Sequence, residues 1–219
     1  MMNVLQLAPL VRLEGFAVLR QRWFVAALVL ALGMVGFFFI VATRESEVFG
    51  FTGYGRVLAG VVQASLLFVP LLSLMATTQA IPAARAGGVL EWYTTLPADR
   101  SDVFRALWWP RVVAVAGPAV AAVLVLGTVA AATGRALSPS LWAALLALLA
   151  GQGFCFAAIG MAVGASTRSS EGALVRGLSL WAACALLVDF VILGVMLRWE
   201  LPAWLVFVLA GLNPMQAGR

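Results

Sequence analysis

Five stretches of this chain run for 20 residues or more with at most one charged side chain, which restricts the fold more than any other feature. They lie at residues 23–42, 57–81, 112–133, 141–167 and 177–197, and only the last contains a charge, Asp189. A helix needs roughly 20 apolar residues to cross the hydrocarbon core of a bilayer. Inside that core every backbone N–H and C=O must be paired without water, so spanning segments are helices or closed barrels. Uncharged runs of this length fit helices. The expected fold is an all-α membrane protein, a polytopic bundle of five spans forming one domain over residues 1–219. No polar segment between the spans approaches the ~50 residues of a separate soluble domain.

Composition agrees with lipid as the main solvent. Charged residues make up 11% of the chain and hydrophobic residues 63%, against about 25% charged in an ordinary soluble domain. All 14 basic residues are arginine, and there is no histidine. Without histidine there is no two-histidine zinc helix, serine–histidine dyad or histidine-ligated haem. Without lysine there is no Walker A phosphate loop and no Schiff-base chemistry. Cys155 and Cys184 both sit in apolar runs and cannot form a metal site alone. No cofactor or metal is therefore expected in this chain. The net charge of +5 comes from dispersed arginines without a basic, aromatic-laced stripe, so no nucleic-acid partner is expected.

In a membrane chain the arginines report orientation. With the N-terminus inside, the inner segments hold Arg12, Arg20, Arg22, Arg85, Arg100, Arg105, Arg111, Arg168 and Arg176. The outer segments hold Arg44, Arg56, Arg135, Arg198 and Arg219. The bias places the N-terminus in the cytoplasm. The first span is too long for the apolar core of a signal peptide and lacks a small-residue cleavage site after Ala42. Residues 4–19 are apolar except for Arg12 and Glu14 and fit a helix lying in the inner interface. Residues 201–212 are apolar but too short to span, and fit a re-entrant or interfacial segment.

Within the spans, Gly153, Ala157, Gly160 and Gly164 share one helix face at spacings of four, three and four. Such a stripe of small residues allows close helix approach, either between subunits or within the chain, and packing within the chain is the commoner use. Pro70 and Pro118 each remove a helical hydrogen bond and kink their spans. Asp189 is expected to face the bundle interior, as a contact for substrate or proton or as a polar tie to another helix such as Gln152.

The inner loop, residues 82–111, holds the remaining signal. Residues 89–96, set between Gly87-Gly88 and Pro97, make about two turns of mixed polarity. A short helix of this kind suits a groove on another protein, with Trp92 and Tyr93 as anchors and Glu91 as a charged contact. A membrane-surface turn with both aromatics at headgroup level accounts for the same residues.

This segment resembles the signature of type-2 (ABC-2) export permeases, Glu-Arg-x-x-Gly-Thr-Leu-Glu followed by Pro-x-x-Arg. Arg85, Gly88, Leu90, Glu91, Pro97 and Arg100 match it at the right spacing. Ala84 stands where the signature has an acid, and Val89 where it has threonine. The likeness extends in order along most of the chain to the permease of the nitrous-oxide-reductase maturation (Nos) transporter. It includes Arg20-Gln21-Arg22-Trp23, Gly50-Phe51-Thr52, the Pro70-centred span, Val188-Asp189-Phe190 and Leu212-Asn213-Pro214. The resemblance implies a type V exporter fold whose loop 82–105 contacts a cytoplasmic ATPase subunit, with Arg85, Gly88, Leu90, Glu91, Trp92, Pro97 and Arg100 as the coupling residues. It further implies pairing with a second permease copy and location in a prokaryotic inner membrane. ATP and Mg would be bound by the partner ATPase. A periplasmic or lipoprotein accessory protein fits the Nos subfamily. Six spans are usual there, with a last helix after the Asn-Pro step, so either a continuation or a five-span variant is expected.

The leading function is thus a non-catalytic permease subunit of an ATP-driven transporter. A haem- or cytochrome-maturation permease and a non-transporting scaffold are the alternatives. An intramembrane two-aspartate protease is excluded, because one acid within the spans cannot form the pair.

Overall fold

The computed structural model describes residues 4–21, 24–26, 29, 30, 33, 37, 53–95, 99–132 and 138–187. Most of the expected first span, Pro97, Asp189 and the 201–212 segment lie outside the described residues. So do the Gly50-Phe51-Thr52 and Leu212-Asn213-Pro214 motifs. The described part is helical, without strands. Its elements are α1 (Val4–Leu19), α2 (Gly53–Thr78), α3 (Ala80–Ala86), α4 (Val89–Thr94), α5 (Arg100–Ala132), α6 (Pro139–Ala165) and α7 (Ser170–Ala182). A π-helical turn, Ala183–Leu187, continues α7. Among the described residues, three stretches are long and apolar enough to cross a membrane: Val62–Ala86, Arg100–Val125 and Pro139–Ala165.

The segment expected as one inner loop is mostly helix. Pro82 lies within α3, and α5 begins at Arg100, well before the expected span start at residue 112. Two ion pairs accommodate charges that break the apolar run in sequence: Asp102 pairs with Arg105 one turn on at 3.6 Å, and Arg111 pairs with Glu14 of α1 at 3.3 Å. At 33 residues, α5 is about 50 Å long, well beyond a ~30 Å hydrocarbon core.

The core lies where α2, α5 and α6 meet. Leu66 and Val69 of α2, Val115, Ala119 and Val123 of α5 and Leu149 of α6 are buried together. Toward α4 the core continues through Ala80, Tyr93, Ala106, Leu107, Ala157 and Met161. Leu74, Phe156 and Ala185 pack α2 and α6 against the π turn. Trp108 of α5 meets Phe154 of α6 edge to face, with ring centroids 4.6 Å apart.

The small-residue stripe of α6 lies against α2 of the same chain. A Cβ on Gly160 would overlap the Thr77 hydroxyl, and one on Gly164 would overlap the Thr78 carbonyl. Gly177 of α7 meets Thr78 from another side, where a Cβ would stand 2.8 Å from the threonine Cγ2. Gly153 faces Val69 and Ala116, and Ala157 is fully buried. Thr77 and Thr78 turn their hydroxyls back onto the carbonyls of Ser73 and Leu74, at 2.6 and 2.7 Å. Their polar atoms are therefore satisfied within α2 while the helices close on them.

Pro70 leaves a specific mark. It has no N–H to offer the carbonyl four residues back, Leu66. That carbonyl instead accepts from Gln152 Nε2 of α6 at 3.0 Å, and the next one, Leu67 O, accepts from Trp181 Nε1 of α7 at 3.2 Å. The backbone groups at the proline step are thus bonded by side chains from two neighbouring helices, as an apolar surrounding requires. In the structure the Gln152 amide donates to Leu66.

Gly160→Ala is expected to destabilise the bundle by about 1–3 kcal/mol through overpacking. Adding Thr77→Ala should recover part of the loss. Gly151→Ala, on the same helix with nothing within 4 Å, is expected to be neutral or to stabilise by up to about 1 kcal/mol. Equilibrium unfolding in mixed micelles measures all three.

Candidate functional site

The described signature residues, Arg85, Gly88, Leu90, Glu91 and Arg100, gather at the end of the bundle where α2 and α6 finish and α5 and α7 begin. After Thr78 the chain makes a turn at Gln79 and continues as α3, so α3 extends α2 toward the Gly87-Gly88 step. Gly88 has φ +70°, a left-handed conformation that costs other residues roughly 1–2 kcal/mol. It redirects the chain into α4. Glycine at this signature position is thus required by the backbone turn.

Arg85 on α3 is exposed, and its Nη1 donates to the Thr167 carbonyl at 3.1 Å. That carbonyl follows the C-terminal turn of α6, where helix carbonyls lack intrahelical partners. Arg85 therefore joins α3 to the α6–α7 connection. Arg100, in the first turn of α5, is also exposed. Leu90 is half-buried, together with Val89, against the core cluster that includes Tyr93.

The two departures from the signature have physical reasons. Ala84 is buried, so an acid there would lose its hydration. Val89 packs against the core, where a threonine hydroxyl would need a partner.

The two aromatics of α4 differ sharply in burial, although their ring centroids lie 5.3 Å apart. Trp92 is 50% exposed, whereas Tyr93 is 2% exposed. Tyr93 was expected as an outward anchor, but its ring packs in this chain's own core. Its hydroxyl donates to Glu14 Oε1 at 2.9 Å. The other carboxylate oxygen of Glu14 accepts from Arg111 Nη1 at 3.3 Å, and Arg111 also donates to the Leu107 carbonyl. One buried carboxylate thus joins α1, α4 and α5. Glu91 and Trp92 lie on the outer side of α4.

Glu14 and Arg111 did not stand out as site residues in the sequence. The available signal was a single acid in the apolar run 4–19 and an arginine beside a long apolar stretch, two isolated opposite charges that need partners. Burial first, and then the Glu14 carboxylate, pushes the Tyr93 phenol above the ordinary tyrosine range, with Arg111 opposing. Chemically the cluster is a fully paired structural tie. Among the described residues no group of histidine, cysteine, aspartate and glutamate is placed to hold a metal.

Compared with protein-family models and with curated proteins, the chain matches none.

Arg111→Met leaves Glu14 buried without its cation and is expected to cost about 3–5 kcal/mol. Adding Glu14→Leu should recover much of that loss, as read by equilibrium unfolding in micelles. The raised Tyr93 phenol also predicts a pH effect. The folded chain holds the proton more tightly than the unfolded chain, whose ordinary tyrosine value is 10.0. This contribution is complete below that pH and is lost as pH rises above it. Tyr93→Phe should therefore lose stability less steeply than the wild-type chain above pH 10.0 in the same unfolding assay.

Proposed function

We propose that this chain is the transmembrane permease subunit of an ATP-binding-cassette transporter, with α4 as the element that receives the motion of a cytoplasmic ATPase. Two copies of the chain would pair, and ATP and Mg would be held by the partner subunits. The end of the bundle carrying α3 and α4 would face the cytoplasm of a prokaryotic inner membrane. Maturation of a metalloenzyme such as nitrous oxide reductase is the transport task that the Nos-like motifs favour.

The observation that carries this reading is the two-sided character of α4. Its outer side offers Glu91 and a half-exposed Trp92, a charged and aromatic pair of the kind that anchors protein contacts. Its inner side is bonded through Tyr93 to Glu14, and through Glu14 to Arg111. A displacement of α4 is therefore passed to α1 and to the long helix α5. In this mechanism, nucleotide binding to the partner favours one tilt of these helices over another, because the partner contacts α4 differently in the two arrangements. The chain contributes movement and a path, with no chemical step of its own.

Affinity purification of the chain from its native membranes tests the proposal. An ATPase should copurify with the wild-type chain and be lost with Glu91→Arg or Trp92→Ala, while both variants keep wild-type thermal unfolding. A pulldown without any ATPase would favour a scaffold.

A further inference from the structure

A cavity of about 640 Å³ opens between α3, α4 and α5, beside the end of α6. Its walls include the apolar side chains of Ile81, Phe104, Leu107 and Ala165, and its charged lining residues are Arg85 and Arg100. No acidic residue is among the described side chains that line it. Arg85 commits one N–H to the Thr167 carbonyl, leaving four donors of its guanidinium. Arg100 is exposed. The cavity is thus an apolar trough with two guanidinium groups.

Its place in the fold suggests what fills it. Residues 81 and 85 lie near the end of one apolar stretch (Val62–Ala86), residues 100 and 104 at the start of the second (Arg100–Val125), and Ala165 at the end of the third (Pro139–Ala165). The three described stretches long enough to cross a membrane therefore meet the trough at their ends, where hydrocarbon gives way to headgroups. Aromatic side chains concentrate at that level in membrane proteins, and Phe104 in the trough wall and Trp92 on α4 are 41% and 50% exposed. A soluble anion would satisfy the arginines but leave the apolar walls wet. A neutral lipid would cover the walls but give the arginines no counter-charge.

The geometry points to an anionic phospholipid bound in this trough, its phosphodiester held by Arg85 and Arg100 and one acyl chain lying along Ile81, Phe104 and Ala165. Arginine's planar fork suits the phosphate oxygens, and basic pockets between membrane helices hold anionic headgroups by the same chemistry. The bound lipid would link α3 to the start of α5 around the Gly87-Gly88 turn. The site belongs to this chain alone and does not depend on the transport proposal.

Native mass spectrometry of the purified full chain, released from nanodiscs with equal phosphatidylglycerol and phosphatidylcholine, tests the site. The wild-type chain should retain one phosphatidylglycerol with a preference of about tenfold or more over phosphatidylcholine. The double variant Arg85→Gln/Arg100→Gln should lose the preference, and Arg85→Lys/Arg100→Lys, which keeps both charges, should retain part of it. Ala165→Trp adds bulk to the trough while keeping both arginines in the sequence and should also abolish retention. Arg176→Gln, an exposed arginine on α7, should behave as wild type. Thermal unfolding of each variant separates loss of the site from loss of the fold. Equal retention of both lipids would overturn the proposal, as would wild-type retention in the double-glutamine or tryptophan variant. So would loss of retention in Arg176→Gln, or displacement of the lipid by millimolar inorganic phosphate.

Discussion

At the end of α2, Thr77 and Thr78 lie directly against Gly160 and Gly164 of α6 and Gly177 of α7, at distances that leave no room for a Cβ on any of the three glycines. Where lipid is the solvent, apolar surface gives little drive for helices to associate, and close packing with hydrogen bonding must supply it. The rest of the described structure follows from this contact. It brings the C-terminal end of α6 beside α3, where Arg85 reaches the Thr167 carbonyl. It also fixes the direction in which α2 ends, and hence where the chain turns at Gln79 and continues toward Gly88.

A second constraint acts on polar groups that the packing removes from water. The carbonyls of Leu66 and Leu67 beside Pro70 accept from Gln152 and Trp181. Glu14 accepts from both Tyr93 and Arg111. In each case one helix supplies what another lacks, so the bonds specify which helices are neighbours. A buried ion pair adds little net stability compared with apolar residues of the same size, but removing one partner leaves the other charged and desolvated. The Glu14 cluster therefore serves mainly to hold α1, α4 and α5 in register. The proposed response of α4 to a partner depends on that register.

Parts of the fold and site were legible in the sequence to different depths. The helices themselves were legible because uncharged runs of 20 or more residues have few other solutions. The small-residue stripe of α6 was legible as a face, because Gly153, Ala157, Gly160 and Gly164 obey the helical period. Its partner was not, since nothing in a row of glycines says which helix approaches it. Residues 100–111 read as loop because Arg100, Asp102, Arg105 and Arg111 interrupt an apolar pattern, and the pairing of Asp102 with Arg105 and of Arg111 with Glu14 is visible only in three dimensions. Trp92 and Tyr93 looked alike as anchors. Adjacent residues on a helix point about 100° apart, so the two can differ in burial, and the packing of α4 on the core selected Tyr93.

The sequence by itself determined that this chain is a set of apolar helices with one polar, arginine-flanked segment, and that its own residues lack a phosphate loop or histidine chemistry. These properties depend on which side chains are present and on their period along one helix. The tertiary structure decided which glycine meets which threonine, which carboxylate neutralises Arg111, and that Arg85 and Arg100 line the same apolar trough. Those pairings join residues far apart in the chain, such as Glu14 and Arg111. Their energies depend on burial and on distances of a few ångströms, and both quantities are set only when the helices pack.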